Sequence, residues 1–185
     1  MKSAIKIPSF AATQSFVIHI VLGVILMCIS AQVQIPVKPV PITLQTVGML
    51  IIALTYTRAR AMSAFSAYLI LGALGAPVFS GFSSGIRIFA GSTGGYLIGM
   101  LLSVYIITTL RQKFGEKNLM HLFVYSIIGS ASVFACGVPW LAYQIGFEKA
   151  LQFGLLPFII PGFVKALFTA STIRLFKQKP WMNKN

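Results

Sequence analysis

Gln34-Ile35-Pro36-Val37-Lys38-Pro39-Val40-Pro41-Ile42-Thr43-Leu44-Gln45-Thr46 separates two apolar runs, each long enough to cross a bilayer. Its three closely spaced prolines cannot continue a helix. Each lacks a donor N–H and pushes the residue before it toward extended geometry. A stiff, polar-ended segment between two membrane helices is tolerated only where water reaches it or where it lines a cavity. The stretch therefore predicts a gate over a binding site, with Pro36, Lys38, Pro39 and Pro41 as the gating residues.

The surrounding composition fits that setting. Of 185 residues, 57% are hydrophobic and 9% charged, and the mean hydropathy is +0.86. Soluble domains carry about 25% charged residues, so the chain is predicted to be an integral membrane protein. The net charge of +13 does not mark a nucleic-acid binder. Such proteins gather their basic residues on one wetted patch, whereas here lysine and arginine punctuate the apolar runs. Anionic lipid is the expected counter-field. Cys28 and Cys136 sit inside apolar segments and read as small core residues, not as a disulfide or a metal pair. The apolar stretch after Lys2 and Lys6 is too long for a cleaved signal peptide and reads as a retained first span.

Walking along the chain gives six spans, about 10–33, 43–56, 62–76, 88–110, 119–138 and 161–176, in one membrane-embedded domain, 1–185. The second is short. The third closes at Gly75-Ala76-Pro77, the fifth at Gly137-Val138-Pro139-Trp140, and the sixth starts at Pro161-Gly162. An amphipathic piece lies near Glu148–Phe153. No internal repeat is evident, which removes the usual inverted-repeat transporter. Orientation follows from lysine and arginine in the short loops. Eleven of them fall at the N-terminus (Lys2, Lys6), the second loop (Arg58, Arg60), the fourth loop (Arg111, Lys113, Lys117) and the tail (Arg174, Lys177, Lys179, Lys184). The opposite loops hold three, Lys38, Arg87 and Lys149. The expectation is an all-α protein of six transmembrane helices with both termini cytoplasmic.

Lys165 is the charge left inside a span, and no acid is expected within the spans to pair with it. A lysine there snorkels to the interface or takes its counter-charge from a ligand. At the predicted start of the sixth helix it would be joined by free N–H groups and the positive end of the helix dipole. Arg87, on the same side, offers a two-pronged carboxylate contact. These two are the candidate anion-binding residues. Gln45, Thr43, Tyr96, Trp140, Tyr143 and Gln144 are candidates for polar and aromatic pocket lining; the aromatic ones serve equally as interfacial belt residues.

Catalysis finds no support. His19 and His121 stand away from any carboxylate or cysteine, no metal-ligand spacing occurs, and no phosphate-binding loop is present. No catalytic residue, metal or cofactor is expected, and transport energy has to come from a partner or from the solute gradient. Ala11 and Ser15 place small residues one turn apart on the first span, a face that lets a partner helix approach closely.

The chain resembles the biotin transporter (BioY) family. The resemblance rests on Ile35-Pro36-Val37-Lys38-Pro39-Val40-Pro41-Ile42-Thr43-Leu44-Gln45-Thr46-Val47-Gly48, on Leu71-Gly72-Ala73-Leu74-Gly75-Ala76-Pro77-Val78-Phe79 and on Gly91-Ser92-Thr93-Gly94-Gly95-Tyr96. It continues through Gly137-Val138-Pro139-Trp140-Leu141 and Leu156-Pro157-Phe158-Ile159-Ile160-Pro161-Gly162-Phe163-Val164-Lys165-Ala166. It implies a substrate-binding S component of an energy-coupling-factor transporter in a prokaryotic plasma membrane. Such a protein takes up biotin from outside, under the first outer loop, and works with a transmembrane coupling protein and ATPases. The resemblance also implies departures. The family's last motif usually reads Pro-Gly-Asp-x-x-Lys-Ala; here Phe163 follows the glycine and Lys165 comes one residue early. Loss of that acid leaves room for an alternative cargo, another carboxylated cofactor or precursor such as lipoate or dethiobiotin. Ser92 replaces the usual proline of Gly-Pro-Thr-Gly-Gly-Tyr.

Overall fold

A computed structural model describes residues 10–178 of the chain. Lys2, Lys6, Lys179 and Lys184, which contribute to the loop-charge count, lie outside the described residues. The helices are α1 (Phe10–Gln32), α2 (Gln45–Thr55), α3 (Arg58–Ala73), α4 (Arg87–Ala90), α5 (Gly94–Phe114), α6 (Leu119–Ile145), α7 (Phe147–Gly154) and α8 (Leu156–Gln178). Two short strands, β1 (Gln34–Ile35) and β2 (Ile42–Thr43), pair antiparallel in register Gln34 to Thr43 and Ile35 to Ile42. The proline stretch is thus a closed loop on a two-strand neck, with a cis Lys38–Pro39 bond at its tip.

Long apolar runs without acids make helices here because a lipid-facing backbone must satisfy its own hydrogen bonds. Thr13–Gln32, Gly94–Phe114, Leu119–Ile145 and the α7–α8 stretch Phe147–Gln178 are long and apolar enough to cross a membrane; Gln45–Thr55 is apolar but shorter. α5 packs along α6, α1 against α3 and α2, and α2 against α5 and α8. Phe65, Tyr68, Met27, Met49, Leu50 and Ile107 are fully buried at these contacts. Val21, Leu22, Ile25 and Ile29 on α1, with Val164, Leu167 and Phe168 on α8, face outward, the surface expected of helices bathed in lipid.

Three expected boundaries are corrected. The sixth helix begins at Leu156, so Pro161 lies inside it and not at its start. Pro157 occupies the first turn instead, where a missing N–H costs nothing. Lys165 therefore sits in the third turn, and the free N–H groups of a helix start are not beside it. α6 runs through Pro139 to Ile145 and stops at Gly146, whose φ of 88° suits glycine. The fourth span is broken: α4 ends at Ala90, and α5 begins again at Gly94.

The two ends of the bundle differ. At the basic end, Arg111 donates to the carbonyls of Ala53 (2.8 Å) and Tyr56 (2.9 Å), closing the C-terminus of α2. Its guanidinium also grips Glu116 through two bonds of 3.1 Å, and Lys177 reaches the same carboxylate at 2.7 Å. Asn118 caps α6 by accepting the His121 N–H at 3.0 Å. The other end gathers the proline loop, the 74–93 segment and α7.

Two stability predictions follow from this packing. A Cβ on Gly99 would lie 2.7 Å from the Val133 carbonyl oxygen and 2.8 Å from its Cα, backbone that cannot yield. Gly99→Ala should lower the thermal midpoint in detergent, as overpacking costs about 1–3 kcal/mol. Gly162→Ala, with nothing within 4 Å of the new Cβ in the interior of α8, should hold or raise the midpoint in the same assay, since alanine favours helix over glycine. An equal loss in both variants would contradict this account of the α5–α6 contact. For Glu116, burial alone would raise the carboxyl, but the hydrogen bonds and charges of Arg111 and Lys177 outweigh it and hold the group below its ordinary value. A depressed carboxylate stabilises the fold above its unfolded pKa and loses that contribution as pH falls through the folded one. The midpoint should therefore drop on acidification below the ordinary glutamate value of 4.5. It should drop less steeply in Glu116→Gln, as followed by scanning fluorimetry between neutral and acid pH.

Candidate functional site

A cavity of about 270 Å³ opens at the proline-loop end of the bundle. Val40 and Pro41 of the loop close one side, and Thr43, Gln45 and Thr46 at the start of α2 form the adjacent wall. Phe79, Ser80 and Ser83 come from the 79–83 turn. The broken α4–α5 region supplies Ile88, Thr93, Tyr96, Leu97 and Met100, while Val133, Phe134 and Phe158 come from α6 and α8. A smaller compartment of about 30 Å³ shares Thr46, Val133, Phe134 and Phe158 with it and adds Leu50, Ser130, Gly162 and Lys165.

The aromatic walls depend on small neighbours. A Cβ on Gly72 would fall 2.2 Å from the Phe79 ring, and one on Gly137 2.4 Å from the Tyr96 ring. Tyr96 is further fixed by its hydroxyl, which donates to the Gly154 carbonyl at 2.9 Å. Its ring meets Phe134 edge-on, centroids 6.4 Å apart.

The polar wall is a chain of bonds that joins β2, α2, α3 and α8. Lys165 Nζ donates to the Thr43 carbonyl at 2.6 Å. Thr43 Oγ1 donates to Gln45 Oε1 at 3.1 Å and accepts the Gln45 main-chain N–H at 3.2 Å. Gln45 Nε2 donates to the Tyr68 hydroxyl at 2.7 Å, which donates to the Val78 carbonyl at 3.2 Å. Thr46 Oγ1 is buried without a partner among the described residues. Glu116 lies at the basic end and Glu148 in the first turn of α7. Among the described residues Lys165 is thus the one charged side chain lining either compartment.

The loop is latched as well as hinged. Ser92 Oγ donates to the Pro39 carbonyl at 2.7 Å, a bond that a proline at position 92 could not make. Gln34 and Ser80 join loop neck and turn by a short side-chain bond.

Of the residues singled out in the sequence, Thr43, Gln45, Tyr96 and Pro41 line the main cavity, and Lys165 lines the smaller compartment. The others do not reach it. Arg87 is exposed on α4. Tyr143 is 92% exposed. Trp140 Nε1 donates to the Gly91 carbonyl at 3.0 Å, and Gln144 Nε2 to the carbonyls of Ala90 (3.2 Å) and Gly91 (3.1 Å). Both brace the break before α5 from outside. Lys38 and Pro39 border an open groove beside Gln144 and Lys149, and Pro36 is exposed. On α1 the side chain of Ala11 lies outside the described residues, while Ser15 Oγ accepts from Arg60 at 3.3 Å. His19 and His121 pair locally with the Ser15 carbonyl and Asn118.

Phe163 does not occupy the place expected for the missing acid. It turns outward, edge-on to Phe123 at 5.2 Å. In the pattern the acid stands three residues before its lysine; in this uninterrupted helix that position is Gly162, on the wall of the smaller compartment. Reading missed Tyr68, Thr46 and Phe79. No local signal marked Tyr68, since α3 also carries Ser63 and Ser66.

A loop-covered, aromatic-walled cavity between apolar helices, adjoined by a smaller compartment that Lys165 lines, defines a membrane protein that binds a small molecule. The chain belongs to the BioY family, whose model matches residues 1–180. A probable biotin transporter of Rickettsia prowazekii is 39% identical over 166 residues, spanning 88% of this chain and 85% of that protein. The corresponding Pyrococcus horikoshii protein, also named a probable biotin transporter, is 37% identical over 147 residues, or 80% and 86% of the two chains. The fold matches the crystal structure of the S-component for biotin from an ECF-type ABC transporter. The TM-score is 0.84 at 23% identity, covering 94% of this chain and 96% of that one. The fold is thus the all-α fold of a multi-pass membrane protein.

Proposed function

We propose that this protein binds biotin in the loop-covered cavity and carries it across the prokaryotic plasma membrane, as the substrate-binding component of an energy-coupling-factor transporter. The observation that carries the reading is the cavity: its apolar and aromatic walls suit a compact ring system, and Lys165, with no acid beside it among the described residues, lines the adjoining smaller compartment. Its size falls near the lower limit of ligand pockets, roughly 300–1,000 Å³, which suits a small bicyclic vitamin. Names borne by the relatives point the same way.

In this reading the walls take the ring system by apolar burial, and Lys165 takes the carboxylate. Its ammonium has three donors and spends one on the Thr43 carbonyl, so two remain. Gln45, Thr43 and Tyr96 orient the rings, and Thr46 offers its free hydroxyl. Pro36, Lys38, Pro39 and Pro41 form the gate, with Ser92 as its catch. Six helices, α1, α2, α3, α5, α6 and α8, cross the membrane, with the basic end and both termini in the cytoplasm. Energy comes from a coupling protein and ATPases docked on the α1 face of Ala11 and Ser15.

Calorimetric titration of the purified protein in detergent tests the cargo. Biotin should bind saturably, and Lys165→Ala should weaken it roughly 10- to 100-fold, the size of a charged hydrogen bond. Biotin methyl ester should bind the native protein and the variant alike. No heat from monodisperse native protein would retire biotin and send the assay to dethiobiotin and lipoate. Orientation is checked separately in whole cells, after Cys28 and Cys136 are replaced by alanine. An impermeant thiol reagent should label Lys38→Cys and spare Lys113→Cys; the reverse pattern would invert the topology.

A further inference from the structure

Tyr68 lines neither compartment, yet its hydroxyl is bonded to Gln45, which lines the main cavity. The Val78 carbonyl can only accept, so the phenol proton is committed to it. The phenol then turns a lone pair toward Gln45, and only the amide nitrogen can meet it. On the other side Thr43 Oγ1 accepts the Gln45 main-chain N–H and sends its own proton to Gln45 Oε1. The chain has one direction throughout. A flipped amide would set its oxygen against the phenol lone pair and its nitrogen against the Thr43 proton.

A primary amide carries two N–H donors and two acceptor positions. Tyr68 and Thr43 consume one of each, so Gln45 keeps one N–H and one carbonyl lone pair on the cavity wall. We propose that Tyr68 is a positioning residue. By holding the Gln45 amide in one of its two flips, it presents a donor and an acceptor in fixed order to an amide-like or ureido edge of the ligand. That the ligand is biotin, whose ureido ring has such an edge, rests on the function proposed above. The ring of Tyr68 has a separate duty, packing on Phe65 and edge-on to Phe79 with centroids 5.5 Å apart. Phenylalanine would preserve it, so Tyr68→Phe isolates the hydroxyl.

The test is a double-mutant cycle read by biotin calorimetry and thermal midpoint. Tyr68→Phe should weaken biotin roughly 10-fold, and Gln45→Ala should weaken it on its own. Adding Tyr68→Phe to Gln45→Ala should cost no further affinity, and it should lower the midpoint less there than in the native background, because the Tyr68–Gln45 bond is already absent. An equal loss of affinity in the two backgrounds, or none in the native one, overturns the proposal. A second readout needs no ligand. In protein carrying ¹⁵N in the glutamine side chains, the Gln45 amide signal is assigned by its absence in Gln45→Ala. In the native protein its protons should exchange slowly with solvent, and in Tyr68→Phe rapidly. Unchanged exchange overturns the positioning role. The expected change, found in a native protein that ignores biotin, keeps Tyr68 in its role and retires the cargo instead.

Discussion

A backbone carbonyl or N–H that leaves its helix inside a bilayer finds no water to replace the lost partner, and each such group costs several kcal/mol. The non-helical segments of this protein all answer to that constraint. Where the fourth span breaks between Ala90 and Gly94, the exposed carbonyls of Ala90 and Gly91 are met by Gln144 and Trp140. The turn before α4 has its Val78 and Phe79 carbonyls met by Tyr68 and Gln32, at 3.2 and 3.1 Å. In the proline loop the Pro39 carbonyl is met by Ser92 and the Thr43 carbonyl by Lys165. These irregular pieces are what leave room for a cavity. A continuous helix in their place would fill the space and bury nothing polar.

The same accounting explains why the site is polar on one wall and apolar on the rest. Helices can offer a ligand only their side chains, because their own peptide groups are used internally. The start of α2, the turn at 79–83 and the head of α5 are the places where helices stop, and there Thr43, Gln45, Thr46 and Thr93 gather. Opposite them α6 and α8 remain helical and present Val133, Phe134 and Phe158. Apolar walls strengthen any hydrogen bond made on the polar side, since competition from water is excluded.

Much of this was legible in the residues, and the failures have a common cause. The proline stretch marked the loop, because three prolines forbid helix whatever surrounds them. Lys165 was visible because a charge within an apolar run needs a reason. Thr43, Gln45 and Tyr96 sat beside strong breakers and were found for that reason. Trp140, Tyr143 and Gln144 had residue types suited to a pocket, but Pro139 was read as a stop. A proline inside a membrane helix loses one bond and bends the axis without ending it, provided that packing holds the rest. α6 continues two turns further and carries these three past the cavity mouth. The same mistake over Pro161 placed Lys165 at a helix start. Phe163 was set in the place of an acid because the motif was counted forward from Pro161-Gly162 and not back from the lysine. Tyr68 was missed because nothing local distinguishes a tyrosine whose hydroxyl matters from one that merely fills a core; its partners lie 10 and 23 residues away.

α2 shows how a short helix can serve such a site. Its 11 residues span about 16 Å at 1.5 Å per residue, too short to be held by lipid contact alone. Side chains from distant helices hold it at both ends instead. Arg111 of α5 closes its last carbonyls and is itself fixed by Glu116. At its entry, Gln45 is tied to α3 through Tyr68, and the strand before it to α8 through Lys165. Removing Arg111 would free two carbonyls and the partner of a carboxylate at the basic end, yet the element released would be the one that carries Gln45 and Thr46 to the cavity. The polar wall is therefore tied to α3 and α8 at its own end and to α5 at the other end of α2, although it is built on one of the shorter helices.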